Sequence, residues 1–258
     1  MRQTTFDGTT TRIRGLAGLL ACSGLLLCAP GAFAQQPAAP EPTWTGTAGA
    51  GVALTSGNTD TINYNLAFDV TRDPKTRNVQ KAKGLFLRGE QNDELNANHL
   101  ALAFRNQFEL SPRAFVYGQL DYLRDTFKLI DYLVAPTAGL GFKVIDTEPT
   151  KFTVDAGTGA VWEKNPSFDV DTSWAVTAGE KLEHQLTATT AFKQTATALW
   201  KADDFADGLY TFSAGVGVKV SERLQLTIDV LDTFKNRPPT AATEKNDVAF
   251  VTALAAKF

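Results

Sequence analysis

Apolar and polar residues alternate along most of this chain from residue 44 onward. In the stretch 62–70, for example, Ile62, Tyr64, Leu66, Phe68 and Val70 occupy every second position and mostly polar residues lie between them. A period of two residues is the pattern of a β-strand with two unlike faces. Twelve such segments follow one another with turn-forming residues between them, and the third, over residues 79–91, alternates least regularly. The pattern predicts an all-β chain of about twelve strands.

The composition of the two faces does not by itself say which face points outward. One face is apolar, whereas the other carries mostly Thr, Gly, Gln, Asn and charged residues, with hardly any large aliphatic residue. A soluble β-sandwich buries the apolar faces of its strands in a core. A transmembrane β-barrel turns them toward lipid and lines its lumen with the polar faces. A soluble periplasmic binding module therefore remains an alternative at this point.

Aromatic residues favour the barrel, because they fall at the ends of the predicted strands rather than in the middle. This distribution is typical of the two girdles that aromatic side chains form at membrane interfaces. One set lies at one end of the strands (Tyr122, Tyr132, Trp162, Trp174, Trp200 and Tyr210), and a second set lies at the other end (Trp44, Phe108, Phe142, Phe152 and Phe258). We therefore predict a transmembrane antiparallel up-and-down β-barrel over residues 44–258.

The connections between strands also differ between the two ends. Most of those at one end are tight, whereas most of those at the other are longer and more polar, with the short hairpin at residues 55–60 as an exception. Outer-membrane barrels show this asymmetry of periplasmic turns and outer loops. The predicted tight connections are 110–113, 145–151, 183–186 and 220–223, and the predicted long ones are 89–99, 163–173, 201–208 and 234–247. An even number of strands predicts that both termini lie in the periplasm.

The last twelve residues alternate to the end of the sequence, which finishes on Phe258. In a closed barrel the last strand pairs with the first, so that no strand edge is left unpaired in lipid. We therefore expect the segment 247–258 to pair with the strand that begins at Trp44.

The first 34 residues have the features of a secretory signal peptide. Basic residues precede the apolar stretch 16–28, and an A-x-A cleavage site follows at residues 32–34. A lipoprotein signal with Cys22 as the lipidated residue is an alternative, although the apolar run before Cys22 is short. The Pro-rich residues 35–43 are predicted to form a disordered linker.

Removal of the predicted signal changes the composition of the chain. Both cysteines, Cys22 and Cys28, lie in residues 1–34, so the remaining chain has no thiol. Removing three arginines and Asp7 shifts the net charge from −3 to −5. Because nucleic-acid binding needs clustered basic surface, we do not expect a nucleic-acid partner. No run of 18 apolar residues follows the signal, so no transmembrane helix is predicted.

The stretch 44–70 carries a recognisable set of residues: Trp44, Gly46, Gly49, Gly51 and, above all, Ser56, Gly57, Asn58 and Thr59. In these residues, in the segment 135–144 and in the terminal Lys257-Phe258, the chain resembles the YdiY-like family, domain of unknown function 481. Some members are labelled salt-induced outer-membrane proteins. The resemblance implies a barrel in the outer membrane of a Gram-negative bacterium, in contact with lipid and lipopolysaccharide. The C-terminal Phe258 also resembles the signal read by the barrel-assembly machinery.

The polar face of the predicted strands supplies the candidate functional residues. Their charges either pair across the bore and close it, or line a narrow water-filled pore in which a surplus of lysines favours anions. The candidates are Asp69, Arg105, Glu109, Asp121, Lys143, Asp155, Lys181, Lys193, Lys219 and Asp229, with Lys81, Lys83, Glu183 and Lys257 on the same face.

Catalytic, metal and cofactor sites are not expected. The only histidines, His99 and His184, are predicted to be solvated, with no serine on a neighbouring strand to act as a nucleophile. The acidic segments 169–171 and 201–207 carry oxygen ligands that could bind a divalent cation, but solvated loops near lipopolysaccharide are the simpler interpretation. The sequence favours a narrow channel or an envelope-integrity protein linked to salt or osmotic stress. An outer-membrane lipase or protease and a structural barrel with a closed lumen are the alternatives.

Overall fold

The computed structural model describes residues 43–56, 61–91, 94–126 and 128–258. The predicted signal peptide and residues 35–42 of the predicted linker lie outside the described residues. Of the hairpin motif, Ser56 ends a strand, whereas Gly57, Asn58 and Thr59 also lie outside them. The described residues contain no helix that is long and apolar enough to cross a membrane.

The described residues form twelve antiparallel strands in one closed barrel, so the predicted fold is confirmed. Each strand pairs with its neighbours in the sequence, and the last pairs with the first. The strands are β1 (Trp44–Ser56), β2 (Thr61–Arg72), β3 (Asn78–Gln91), β4 (Glu94–Glu109), β5 (Ala114–Asp125), β6 (Ile130–Asp146), β7 (Thr150–Lys164), β8 (Asp171–Gln185), β9 (Thr190–Lys201), β10 (Gly208–Lys219), β11 (Leu224–Lys235) and β12 (Asn246–Lys257).

The seam between β1 and β12 closes the barrel as predicted. The register pairs Thr47 with Lys257 and continues antiparallel along both strands. Beyond it, the amide of Gly46 donates to the carbonyl of Phe258 at 3.0 Å, and the amide of Phe258 donates to the carbonyl of Gly46 at 3.1 Å. The backbone of the C-terminal residue therefore completes the ladder of hydrogen bonds.

The large apolar side chains at even-numbered positions lie on the outside of the barrel. Trp174, Leu140 and Leu66 are 69 %, 64 % and 58 % exposed, although each sits in the middle or near the end of a regular strand. A soluble sandwich would bury such residues, so the alternative of a soluble module disagrees with this arrangement. An apolar exterior is the arrangement of barrels that face lipid.

The barrel has two unlike ends. We call the end that holds Trp44 and Phe258 the terminal end; its connections are residues 73–77, 110–113, 147–149, 186–189 and 220–223. We call the other end the loop end; the connections that the structure describes there in full are residues 165–170, 202–207 and 236–245, and residues 126 and 128–129 also lie there. The aromatic sets predicted from the sequence fall at these two ends, and at the loop end the indole nitrogen of Trp200 donates to the hydroxyl of Tyr210 at 2.8 Å.

The prediction of a long loop at residues 89–99 was wrong. Strand β3 continues to Gln91 and β4 already begins at Glu94, with a register shift between Gly89 and Glu90. The polar composition of this segment suggested a loop. The backbones of the two strands nevertheless pair beyond the apolar band, because pairing satisfies their amide and carbonyl groups whatever the side chains are.

Candidate functional site in the barrel lumen

The inward face of the barrel carries mostly the odd-numbered residues of its strands, which alternate with the exposed apolar residues of the exterior. Ile130 is an even-numbered exception, beside the register shift between Leu123 and Asp125. All of the candidate residues predicted from the sequence lie on this odd-numbered face: Asp69, Arg105, Glu109, Asp121, Lys143, Asp155, Lys181, Lys193, Lys219 and Asp229. That they line an open pore stays a prediction.

A polar network crosses the lumen in the half nearer the terminal end. Arg105 on β4 donates two hydrogen bonds to Asp155 on β7, with Nη1–Oδ2 and Nη2–Oδ1 distances of 2.9 and 3.0 Å. The Arg105 guanidinium carbon lies 3.9 Å from the centre of the Tyr117 ring, and its Nε donates to the amide oxygen of Gln119. The amide nitrogen of Gln119 then donates to both carboxylate oxygens of Asp121 at 2.8 and 2.7 Å. The guanidinium is therefore held by a carboxylate, an amide and an aromatic ring.

Shorter ion pairs lie along the wall of the same half. Glu109 pairs with Lys143 at 3.0 Å, and Glu183 pairs with Lys181 at 2.7 Å. Some of the charges predicted for the lumen are therefore paired along the wall, whereas closure of the bore by such pairs stays a prediction.

A lysine-rich patch remains in this half. Lys81 and Lys83 on β3, Lys181 on β8 and Lys193 on β9 all lie on the inward face, toward the terminal ends of their strands. Lys83 also lies 3.8 Å from Asp69, and the two side chains are 40 % and 36 % exposed. Water therefore reaches the patch.

The half nearer the loop end is different, because large apolar side chains point inward there. They form two clusters of buried residues, which we call the apolar clusters. The first contains Ile130, Leu133, Ala135, Val161 and Ala175 with Leu123, Leu199 and Leu209 packed against it. The second contains Leu87, Ala249 and Val251 with Leu85 and Leu231.

The inference that the inward face has hardly any large aliphatic residue was therefore wrong at the loop end. The sequence does contain a signal for the apolar clusters. Consecutive apolar residues interrupt the alternation near the ends of the strands, as in the segments 85–87, 132–135, 198–200 and 230–231. Where two successive residues are apolar, both faces of a strand are apolar. Such runs mark the levels at which the lumen is packed.

A group of buried ion pairs lies at the same end of the lumen, and we call it the charged cap. Glu163 on β7 accepts from Lys201 on β9 at 2.8 Å and from Lys235 on β11 at 2.9 Å. Lys201 also pairs with Asp207 at 2.7 Å and with Asp171 at 2.6 Å. The side chains of Glu163, Lys201 and Lys235 are 1 %, 7 % and 3 % exposed. The cap joins strands that are not neighbours in the barrel.

A connection at the loop end supplies a further buried cation. The side chain of Lys128 has no exposed surface; its Nζ lies 2.8 Å from Asp247 and donates to the carbonyl of Lys245 at 2.8 Å. Lys128, which lies between β5 and β6, is therefore joined to the segment 244–247 at the start of β12.

The histidines have different surroundings from each other. His99 is buried, with its Nδ1 2.9 Å from the carboxylate of Asp125, so the expectation that it is solvated was wrong. His99 is buried because it lies on the inward face of β4, paired with Leu87 of the second apolar cluster. His184 lies at the terminal end, where its Nδ1 is 2.8 Å from the hydroxyl of Thr150.

The acidic loop segments are occupied by partners from the protein itself. Asp207 and Asp171 belong to the charged cap, and Asp204 pairs with Arg237. The hydroxyl of Ser173 donates to Asp203, and this hydrogen bond lowers the pKa of that carboxyl below its ordinary value. Among the described residues, no group of three or more His, Cys, Asp and Glu could hold a metal ion.

Comparisons with known proteins agree with this architecture. The uncharacterized protein YdiY of Escherichia coli (strain K12) is 23 % identical over 213 residues, which cover 83 % of this chain and 82 % of that protein. The NanC porin is similar in structure with a TM-score of 0.55 and 10 % identity over 83 % of this chain and 100 % of that one. The translocator domain of the autotransporter NalP from Neisseria meningitidis has a TM-score of 0.50 and 10 % identity over 84 % and 89 % of the two chains.

The structural similarity to the NanC porin and to the NalP translocator domain shows that the chain shares the fold of these barrels. The profile of the family described as "Protein of unknown function, DUF481" matches residues 48–258, which include eleven complete strands and most of β1. The chain belongs to the DUF481 family.

Proposed function

We propose that the protein is a narrow outer-membrane channel whose lumen is wet from the terminal end and sealed at the loop end in the conformation described. The observation that carries this proposal is the difference in exposure between inward-facing charges. The paired charges of the terminal half are 13–40 % exposed, whereas Lys128, Glu163, Lys201 and Lys235 at the loop end are 0–7 % exposed. The apolar exterior of the barrel and the aromatic residues at both ends of its strands support a location in the outer membrane.

The seal opposes ion passage in two ways. The apolar clusters offer no hydrogen bonds to an ion that loses its hydration shell, so they act as a hydrophobic constriction. The charged cap adds lysines and carboxylates that already satisfy one another at 2.6–2.9 Å. A permeating ion would have to separate these pairs, which leaves buried charges without partners.

Opening does not require the barrel wall to change. Lys128, Asp171 and Asp207 belong to connections or strand ends at the loop end, whereas the hydrogen-bonded ladders run along the strands. Rearrangement of these connections would separate ion pairs while the ladders stay intact. The resemblance of the fold to the NanC porin, whose name describes a porin, supports a channel.

The second candidate is a permanently closed barrel that contributes to envelope integrity. The nearly complete burial of Glu163, Lys201 and Lys235 in the charged cap favours it. A salt- or osmotic-stress role belongs to either candidate through the family resemblance. A catalytic role is not proposed, because the pair of His99 and Asp125 is buried at the level of the apolar clusters, where a substrate has no access.

The test is single-channel conductance in planar bilayers. We expect the natural protein to be silent for most of the recording, and the double variant Leu133→Ser with Val161→Ser to conduct in discrete steps. Leu110→Ser with Val220→Ser, at two exposed connections of the terminal end, makes the same two chemical changes outside the lumen and should behave as the natural protein does. Silence of the double variant, once its heat-shifted gel mobility shows that it is folded, would favour the permanently closed barrel.

A further inference from the structure

Four lysines face one another in the terminal half of the lumen. Lys81 and Lys83 lie on β3, Lys181 on β8 and Lys193 on β9. In the closed order of the twelve strands, β3 and β9 are on opposite sides of the ring. Lys83 therefore faces Lys181 and Lys193 across the bore rather than along its wall. We call these residues the lysine ring.

The carboxylates near the lysine ring do not balance it. Asp69 faces Lys83, Glu183 pairs with Lys181, and Asp229 interacts with Lys193. Lys151, the cross-strand neighbour of Glu183, adds a further positive charge. The nearby Arg105 does not add to the surplus, since its own positive charge is matched by Asp155. Five lysines therefore stand against three carboxylates.

The lysines that carry the surplus are partly exposed, whereas the charged groups at the loop end are buried. The side chains of Lys83 and Lys181 are 40 % and 35 % exposed, and Lys193 is also exposed. Toward the loop end, the apolar clusters and the charged cap close the lumen. An anion that enters from the terminal end would meet ammonium groups on opposite walls, at a level where low-dielectric walls strengthen the attraction.

The hydrogen-bonding capacity of the ring is also incompletely used within the protein. An ammonium group has three donors. Lys81 donates to the amide oxygen of Gln107 at 3.2 Å, whereas the Lys83–Asp69 distance of 3.8 Å is longer than a hydrogen bond. A ligand with several anionic oxygens could accept from lysines on both walls at once.

We propose that the lysine ring is a binding site for a small solute with two or more negative charges, carried on phosphate or carboxylate groups, that enters from the terminal end. This inference deepens the proposed function, because it names the class of solute that the lumen takes up. It does not depend on conduction, since the site is reached without opening the loop end.

The experiment is calorimetric titration of the folded mature chain in detergent micelles with inorganic pyrophosphate at low salt. We expect saturable binding to the natural protein. The double variant Lys83→Gln with Lys193→Gln should weaken it about tenfold or more, since each removed charge costs about 1 kcal/mol and 1.4 kcal/mol is a factor of ten. Glu183→Gln should tighten binding, because it removes one of the three opposing carboxylates.

The matched control is Lys164→Gln with Lys245→Gln, which removes the same net charge at the loop end, outside the lysine ring, and should leave the affinity within about twofold. Equal weakening by both double variants would overturn the proposal in favour of general electrostatic attraction, and so would the absence of binding to folded protein. If pyrophosphate binds at the lysine ring but the Leu133→Ser, Val161→Ser variant does not conduct, the binding site is supported and the proposed channel is contradicted.

Discussion

Arg105 and Asp155 join two strands of the barrel that are not neighbours. Strands β5 and β6 lie between β4 and β7, so the two hydrogen bonds of 2.9 and 3.0 Å form a chord across the lumen. The side chains are 20 % and 13 % exposed. A partly buried charge held in this way depends on its partner, because two parallel hydrogen bonds between a guanidinium and a carboxylate are stronger than hydrogen bonds between neutral groups.

We expect Asp155→Asn to lower the free energy of unfolding by about 1–3 kcal/mol, since it leaves the Arg105 guanidinium without its charged acceptor. Urea titration of the protein in lipid vesicles, followed by tryptophan fluorescence, measures this change. Asp69→Asn is the matched control: its partner Lys83 is more exposed and 3.8 Å away, so we expect less than about 1 kcal/mol. Equal losses in the two variants would contradict the structural role of the chord.

Gly51 provides a second test, at the seam between β1 and β12. A β-carbon added at this residue would lie 1.6 Å from the carbonyl oxygen of Thr252 and 2.6 Å from the α-carbon of Ala253. Both neighbours are backbone atoms of the paired strand, so the strands themselves would have to separate. We expect Gly51→Ala to reduce the folded fraction strongly, as measured by heat-shifted gel mobility after refolding into detergent.

Gly118 is the control for this substitution, because a β-carbon added there meets nothing within 4 Å. Gly118→Ala should fold as the natural protein does. A normal folded fraction for Gly51→Ala would show that the seam adjusts more easily than its geometry indicates.

Much of the fold follows from the period-two pattern. In β2 and β12 the large apolar residues occupy one register, so the number of strands, their faces and the pairing of the C-terminal segment with β1 could be predicted. The segment 89–99 was missed because its polar side chains resemble those of a loop, while the pairing of its backbone does not depend on them.

The candidate site could be predicted only in part. Period two identifies which residues face inward, but it does not say which inward residues meet. Lys235 and Glu163 are 72 residues apart in sequence and their strands are four apart in the ring, so their contact depends on the curvature of the closed barrel. The position of Lys128 is less predictable still, because a connection rather than a strand places it against Asp247.

The charged cap gives a third prediction. Glu163→Gln removes the carboxylate that both Lys201 and Lys235 contact, and leaves two buried ammonium groups with fewer partners. We expect a loss of about 3 kcal/mol in the free energy of unfolding and more frequent channel openings in planar bilayers. Asp171→Asn is the control, because it removes a different partner of Lys201, one that is exposed to solvent. We expect it to lower the free energy of unfolding by less than about 1 kcal/mol and to leave the frequency of channel openings unchanged. If the Glu163→Gln protein is as stable as the natural protein and does not conduct, the charged cap is not part of the proposed seal.

Phe258 gives the last prediction, because its backbone and its ring are expected to act separately. The backbone exchanges two hydrogen bonds with Gly46 at the seam, while the ring is 57 % exposed on the exterior. Phe258→Ala keeps the hydrogen bonds and removes the ring. If the ring is the part that the barrel-assembly machinery binds, this variant should refold normally in detergent but reach the outer membrane of cells in reduced amounts.

Deletion of Phe258 should lower both quantities, since it also removes the two hydrogen bonds of the seam. Phe250→Ala is the control, because Phe250 is 51 % exposed on the same face of β12 and takes no part in the end of the seam. Heat-shifted gel mobility of refolded protein and of outer-membrane fractions separates the two effects. Natural amounts of Phe258→Ala in the outer membrane would show that assembly depends on the strand as a whole and not on its terminal ring.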